Sequence, residues 1–331
     1  MKPFTTCCAV LALLAGCAEL DGLPGAETAA VGDTSSTVTA AASDTGVTST
    51  STEGGKITQT FASGATYSGG FADGKQNGQG TYTTPDGYEY TGNWVDGRIE
   101  GQGRAKFADG SVYEGTFKDG KPDGQGMITY ADGGTYEGDW VAGQIEGDGV
   151  AVYADGLRYE GSFANSAHDG QGKATRPDGF SYEGDWKAGR QSGKGKAVYP
   201  DGAVYEGDFV DGQRQGQGTI TMADGFTYTG AWQAGQIEGE GTATYANGDT
   251  YEGTFSNGNR EGEGKAVYVS GGSYIGGFKD GQRDGRGTFT GADGFVYEGQ
   301  WKNGQIDGEG VASYPDGTRL EGTFKDGEFV G

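Results

Sequence analysis

His168, Cys7, Cys8, Cys17 and a recurrent Asp-Gly pair are the residues of this 331-residue chain whose types could do chemistry. His168 is the only histidine, so it cannot assemble a metal cluster, and no recognisable nucleophile accompanies it as a general base. A solvated loop position is expected for it. The Asp-Gly pairs at Asp109, Asp132, Asp155, Asp201, Asp224, Asp293 and Asp316 raise the question of calcium. Calcium needs about six to eight oxygens converging on one point. One Asp per turn, with turns stacked about 10 Å apart, does not supply that. Asp tolerates the left-handed region and Gly supplies positive φ, so turn chemistry accounts for the pairs. There is no phosphate-binding Walker loop, no nucleophile elbow and no zinc-protease helix motif. No catalytic residue, cofactor or metal is expected, and the chain does not read as an enzyme.

These residues sit in a repeat. Units open at Tyr67, Tyr90, Tyr113, Tyr136, Tyr159, Tyr182, Tyr205, Tyr228, Tyr251, Tyr274, Tyr297 and Leu320, spaced by 23 residues without a slip. Counting the opening residue as zero, column +2 is always Gly and column +4 always Phe or Trp, as in Gly138 and Trp140. Columns +11 and +13 are Gly in every complete unit, as in Gly147 and Gly149. Side chains alternate along a strand, so the opening residue, the first Gly and the ring share one face. Each unit reads as a β-hairpin whose arms are joined by six loop residues, such as Val141–Glu146, with a tight Asp-Gly turn leading into the next unit. The expected pairing sets the ring at +4 against Gly at +11, and Gly at +2 against Gly at +13. The rings then lie over a trough of glycines.

Tyr136-Glu137-Gly138-Asp139-Trp140, followed by Gly147-Asp148-Gly149 and Tyr153-Ala154-Asp155-Gly156, resembles the MORN repeat (membrane occupation and recognition nexus). The resemblance covers residues 56–331. It implies an all-β fold: an elongated, twisted, antiparallel single sheet of tandem hairpins. Members of that family occur alone or attached to enzymes such as phosphatidylinositol-phosphate kinases, and they have been linked to anionic lipids and to self-association. The repeats themselves are not catalytic.

The N-terminus reads differently. Cys7–Ala15 is an apolar run too short to span a bilayer. Leu14, Ala15, Gly16 and Cys17 resemble a bacterial lipobox, which implies a signal peptide over 1–16 and lipidation of Cys17. Two or more acyl chains give stable membrane attachment. Ala18 after the Cys leans towards the outer membrane. Residues 17–55 comprise the lipidated Cys and a Ser/Thr/Ala/Gly-rich segment too poor in large apolar residues to fold, hence a disordered tether.

The net charge of −23 opposes nucleic acid and general binding to anionic headgroups. The leading functional reading is a non-enzymatic, lipid-anchored interaction or scaffold protein of the bacterial cell envelope, with a protein partner or self-association and no small-molecule substrate. The alternatives are a carbohydrate-binding module, on peptidoglycan or exopolysaccharide, and a phospholipid-binding array. The candidate interaction surface is the aromatic column, represented by Trp94, Trp140, Trp186, Trp232, Trp301, Tyr136, Tyr182 and Tyr228, although the same rings would also serve as the sheet's core. Column +9 carries Ile beside most Trp units and Arg214, Arg260 and Arg283 in Phe units. The Ile is expected to plug the loop against the indole, and the Arg to lie over the smaller ring of its own unit. Glu at column +1 faces Lys or Arg at column +14 away from the rings, pairing Glu160 with Lys173 and Glu252 with Lys265. The last unit has one full strand, and Leu320, Glu321, Gly322, Thr323 and Phe324 are expected to leave an open edge for association.

Overall fold

The computed structural model describes residues 46–53 and 56–331. The expected signal peptide, Cys17 and most of the expected tether lie outside the described residues. The described residues fall into two compact units, one ending at Arg190 and the other beginning at Gln191. The first carries the strands from Val47–Glu53 to Ser181–Lys187, and the second those from Arg190–Val198 to Glu328–Phe329. No helix occurs among the described residues. Within each unit the strands pair antiparallel with their chain neighbours, so the expected all-β fold of consecutive hairpins is the observed one.

The hairpin Thr135–Val141 and Gln144–Val152 illustrates how the sequence builds the fold. Tyr136 pairs with Ala151, Glu137 with Val150 and Gly138 with Gly149, as expected. The end of the hairpin differs. Only Ala142 and Gly143 form the turn, both at positive φ (51° and 91°). That is the two-residue turn whose twist matches the strands. Asp, Asn or Ala followed by Gly occupies the same place in most units, for example Asp96-Gly97, Asn257-Gly258 and Asp326-Gly327. The six-residue loop is therefore replaced by two strand extensions and a tight turn. Trp140 consequently pairs with Ile145 rather than Gly147, and the register shifts between Ile145 and Gly149. Gly147 sits at the shift with φ of 67° and faces Phe163 of the next hairpin. A bulge inserts residues on one strand and needs a residue that tolerates positive φ, which is why Gly recurs at this column.

The Asp-Gly turns between hairpins take the expected form. Gly156 N–H donates to the Tyr153 carbonyl at 2.9 Å, and Asp155 Oδ1 accepts from Leu157 N–H at 2.9 Å. Asp109, Asp132, Asp178, Asp201, Asp224, Asp293 and Asp316 accept in the same way.

Both ends depart from expectation. Val47–Glu53 forms a strand paired with Lys56–Phe61, where a disordered tether through residue 55 was expected. Its Val and Thr residues favour extended backbone. An edge strand needs only backbone pairing on one side, so low apolar content did not prevent it. At the other end, the chain turns at Asp326-Gly327 and returns as Glu328–Phe329 beside Arg319–Lys325.

Candidate interaction surfaces

The ring column is the core. Trp94, Trp140, Trp232 and Trp301 are at most 5% exposed, Trp186 is 9% exposed, and Tyr136, Tyr182 and Tyr228 are fully buried. The physical reason is the glycine trough. A carbon added at Gly149 would lie 2.6 Å from Tyr136 Cζ, so the ring rests directly on the strand backbone. Rings of its own hairpin and of the next close over it: Tyr136 meets Trp140 edge-on at 5.5 Å and Phe163 at 5.1 Å. Each polar tip finds a backbone partner. Tyr136 O–H donates to the Asp139 carbonyl at 3.1 Å, and Trp140 Nε1–H to the Gly126 carbonyl at 3.2 Å. Burial pushes the Tyr136, Tyr182 and Tyr228 phenols up from their ordinary range. As an exposed interaction surface this column is corrected: its rings are spent on packing.

Column +9 forms the joint between neighbouring hairpins. Its carbonyl accepts from the next turn, as Pro122 does from Gly143 N–H at 2.8 Å. Ile99, Ile145 and Ile237 fill the joint and are buried. The arginines touch the opening tyrosine of their own hairpin, at 5.8 Å for Arg214 and Tyr205 and 5.7 Å for Arg283 and Tyr274, but lie closer to a ring of the next. Arg214 stands over Trp232 at 4.5 Å and Arg283 over Trp301 at 4.1 Å, each in the following hairpin. Arg214 also donates to the Gly235 carbonyl at 2.7 Å and Arg283 to the Gly304 carbonyl at 3.0 Å, which fixes each guanidinium on the next turn.

His168 occupies the same joint. It is 7% exposed, so the expected solvated loop position is wrong. Its ring stacks on Tyr159 at 3.6 Å and 12°, and Nε2 lies 2.7 Å from the Tyr153 hydroxyl. Nδ1 is buried with no hydrogen-bond partner among the described residues. Burial lowers the imidazole to about 4. The error came from taking the column for a loop, when the tight turn places it inside a strand.

The face away from the rings is open to solvent. In the first unit, successive cross-strand partners run Arg104, Glu114, Met127, Glu137, Val150, Glu160, Lys173, Glu183. Glu160 pairs with Lys173 and Glu252 with Lys265 in the expected register. The ion pairs resolved along this row, however, join neighbouring hairpins: Arg104 with Glu114 at 3.0 Å and Lys173 with Glu183 at 3.3 Å. Glu137 lies between exposed Met127 and half-buried Val150, so acidic and apolar character alternate there. Among the described residues, no group of three side chains could hold a metal ion.

The C-terminal edge is largely closed. Thr323 N–H donates to the Gly331 carbonyl at 2.8 Å, and Val330 N–H to the Thr323 carbonyl at 3.0 Å. Phe329 packs on Phe324 at 5.2 Å. Of the residues expected to leave an open edge, Thr323 and Phe324 are thus paired by the chain's own tail. Leu320 and Gly322 pair inward with Ala312 and Gly310. Backbone groups of Arg319 and Glu321 alternate with these and face outward.

The MORN-repeat family model matches the chain in consecutive segments, 67–87, 90–112, 113–135, 136–158, 159–181, 182–204, 205–227, 228–250, 251–273, 274–296 and 297–319. This chain belongs to the MORN-repeat family. The matched units open at the tyrosines that define the sequence period, and the hairpin at Leu320 adds a further copy of the same turn beyond them. No curated protein sequence matches the chain. Among solved structures, it is similar to the TCP domain of Drosophila melanogaster SAS-4 in complex with a proline-rich motif of Ana2, at 13% identity. That match covers 60% of this chain and 90% of the other, with a TM-score of 0.28. The wild-type TCP10 domain of Danio rerio CPAP matches at 16% identity over 73% of this chain and 98% of that one, with a TM-score of 0.23. A catalytically inactive virginiamycin B lyase from Staphylococcus aureus matches at 11% identity over 85% of each chain, with a TM-score of 0.14. Superpositions this loose carry no argument about what the MORN array binds.

Proposed function

We propose that this MORN-repeat chain is a non-enzymatic interaction scaffold, tethered by lipidated Cys17 to the bacterial cell envelope and held at the outer membrane. The supporting observation is the division of labour between the two faces. The aromatic rings are enclosed, so recognition falls to the outward row of Glu, Lys, Arg, Thr and exposed aliphatic side chains. That surface suits a protein partner with complementary charge and small apolar contacts. Buried rings cannot stack on sugars, and a net charge of −23 disfavours an anionic bilayer.

The test has two arms. Cys17→Ala should release the protein from the membrane fraction or leave it unprocessed, and a Cys17→Ala protein that still sediments with membranes like the wild type defeats the anchor. Separately, a photo-crosslinking residue at Glu137 should capture a protein in intact cells, whereas one at the buried Tyr136 should not. Pull-down on peptidoglycan without a protein partner would defeat the scaffold reading and leave the anchor standing.

A further inference from the structure

Where one hairpin meets the next on the open face, the residue at column +12 faces the residue at column +3 of the following hairpin. Those two side chains bond to each other. Gln102 Nε2–H donates to Thr116 Oγ1 at 2.8 Å, and Thr254 Oγ1–H donates to Glu240 Oε1 at 2.6 Å. The same closure occurs at the other described joints where both side chains are polar, with one exception. A cation in this column takes a carboxylate: Lys194 Nζ lies 2.6 Å from Asp208 Oδ1. The exception is Arg286 and Gln300, which are register partners and do not bond to each other.

Gln300 is engaged in its own hairpin, where its Oε1 accepts from Glu309 N–H at 3.1 Å. Arg286 is left exposed, with no hydrogen-bond or ion-pair partner among the described residues. A cavity of about 710 Å³ opens at this joint, lined by Arg286 and Gln300 and flanked by Lys279 and Lys302. Trp301 is its rigid wall, held by Nε1–H to the Gly287 carbonyl at 3.2 Å and by Arg283 packed on its ring at 4.1 Å. Two carboxylates of the lining are already occupied. Asp284 Oδ2 accepts from Asn303 N–H at 3.3 Å, and Asp307 pairs with Lys325 at 3.3 Å. Asp280 is the remaining one, so the cations Lys279, Arg286, Lys302 and Lys325 outnumber the acids here, in a chain whose net charge is −23.

We propose that this cavity is a carboxylate-binding site for an acidic segment of a partner protein, with Arg286 as its principal contact. The array itself supplies the chemistry. In the same column Lys194 takes the carboxylate of Asp208, and a partner's Glu or Asp gives Arg286 the carboxylate that Gln300 lacks. A guanidinium presents parallel N–H groups to a planar carboxylate. Lys279 and Lys302, one on each hairpin, face the acidic neighbours of that residue in the bound segment. The acidity of the rest of the chain disfavours such a segment elsewhere and so adds specificity. This inference rests on the scaffold reading for the ligand's being a protein, and it does not depend on acylation at Cys17.

The experiment titrates the full chain carrying Cys17→Ser into a fluorescently labelled pentaglutamate peptide and follows anisotropy. Pentaglutamate should bind reversibly and pentaglutamine should not. Arg286→Gln should weaken binding about tenfold. Gln300→Asp keeps the arginine but closes the joint from within, as Asp208 does on Lys194, and should weaken binding as much. Both positions are exposed, and Asp139 combines the same two contacts in its own hairpin, so circular dichroism and the thermal midpoint should stay unchanged. Arg104→Gln, at a guanidinium already paired with Glu114, should leave binding as it is. Pentaglutamate that does not bind, that binds regardless of Arg286→Gln or Gln300→Asp, or that is outcompeted by inorganic phosphate at equal concentration overturns the proposal. A protein captured at Glu137 in cells, with no peptide bound here, sinks this inference and leaves the scaffold. Peptide bound through Arg286, with nothing captured at Glu137, does the reverse.

Discussion

Tyr136 is held by glycine on one side and by aromatic edges on the other, and both constraints are measurable. A carbon added at Gly138 would lie 2.6 Å from Gly149 Cα, and one added at Gly149 would lie 2.6 Å from Tyr136 Cζ. Gly138→Val or Gly149→Val must therefore lift the ring or part the strands. Overpacking of this kind costs about 1–3 kcal/mol. Denaturant midpoints should fall accordingly, while Glu137→Ala on the open face should change little. Equal midpoints for Gly149→Val and Glu137→Ala would mean that the ring does not rest on the backbone in solution.

His168 makes a prediction with a defined sign. Its imidazole falls from 6.5 to about 4 because burial penalises the charged form. Below pH 6.5 the unfolded chain therefore binds a proton that the folded chain refuses, so folding weakens as pH drops. The contribution is full above pH 6.5, is lost between 6.5 and about 4, and amounts to on the order of 3 kcal/mol at most. Tyr153 and Tyr159 are the titratable groups in direct contact with the ring, and both stay neutral across that window because burial raises their phenols. His168→Gln, which places the side chain that Gln191 carries in the same column, should flatten this part of the pH–stability profile. An identical acid limb in the variant would assign the loss to carboxylates elsewhere.

At the scale of the hairpin, the turn is where an improvement is available. Ala142, Ala188 and Ala234 occupy the first turn position with φ of 51°, 46° and 48°, where most other units have Asp or Asn. An L-residue with a plain methyl pays for the left-handed region, whereas Asn tolerates it. Ala142→Asn should therefore raise stability by about 0.5–1 kcal/mol, read as a higher midpoint with an unchanged denaturant slope. A lower midpoint would show that the methyl packs in a way the φ angle does not reveal.

The same turn explains what could be read from sequence. Strand identity, the Gly138–Gly149 apposition and the Asp-Gly links follow from a period-two pattern inside a fixed repeat, and they recur in the structure. The arm length did not follow, because Ala142-Gly143 looks like any pair of loop residues until its φ angles place it in a two-residue turn. That one ambiguity misplaced Ile145, His168 and the arginines of their column. The N-terminal strand escaped for a different reason: Val47–Glu53 earns its structure from backbone pairing with Lys56–Phe61, and composition reports only side chains. The surface was legible as chemistry and not as geometry. Glu160 and Lys173 are register partners, yet Lys173 turns to Glu183 on the other neighbour, a choice between two strands at equal spacing.

At the scale of the molecule, each strand pairs only with its chain neighbours among the described residues, so perturbations should stay local. Repeat arrays of this type sum intrinsic and nearest-neighbour terms rather than sharing one core. The contacts of Tyr136 illustrate the range: Trp140 in its own hairpin, Phe163 in the next, and Gly138 and Gly149 beneath. Gly149→Val disturbs that group and nothing further along. Amide hydrogen exchange followed by mass spectrometry should show faster exchange across Thr135–Val152 and the hairpins on either side, with Thr250–Val267 and Val296–Ser313 unchanged. In the wild type, Val47–Glu53 and Glu328–Phe329 should exchange first, since among the described residues each pairs on one side alone. The reach of the change in Gly149→Val decides between the two energetic descriptions. If protection falls by the same factor in both units, the array unfolds as a single cooperative block. The nearest-neighbour account, and with it the expectation that individual hairpins can be altered independently, would then be lost.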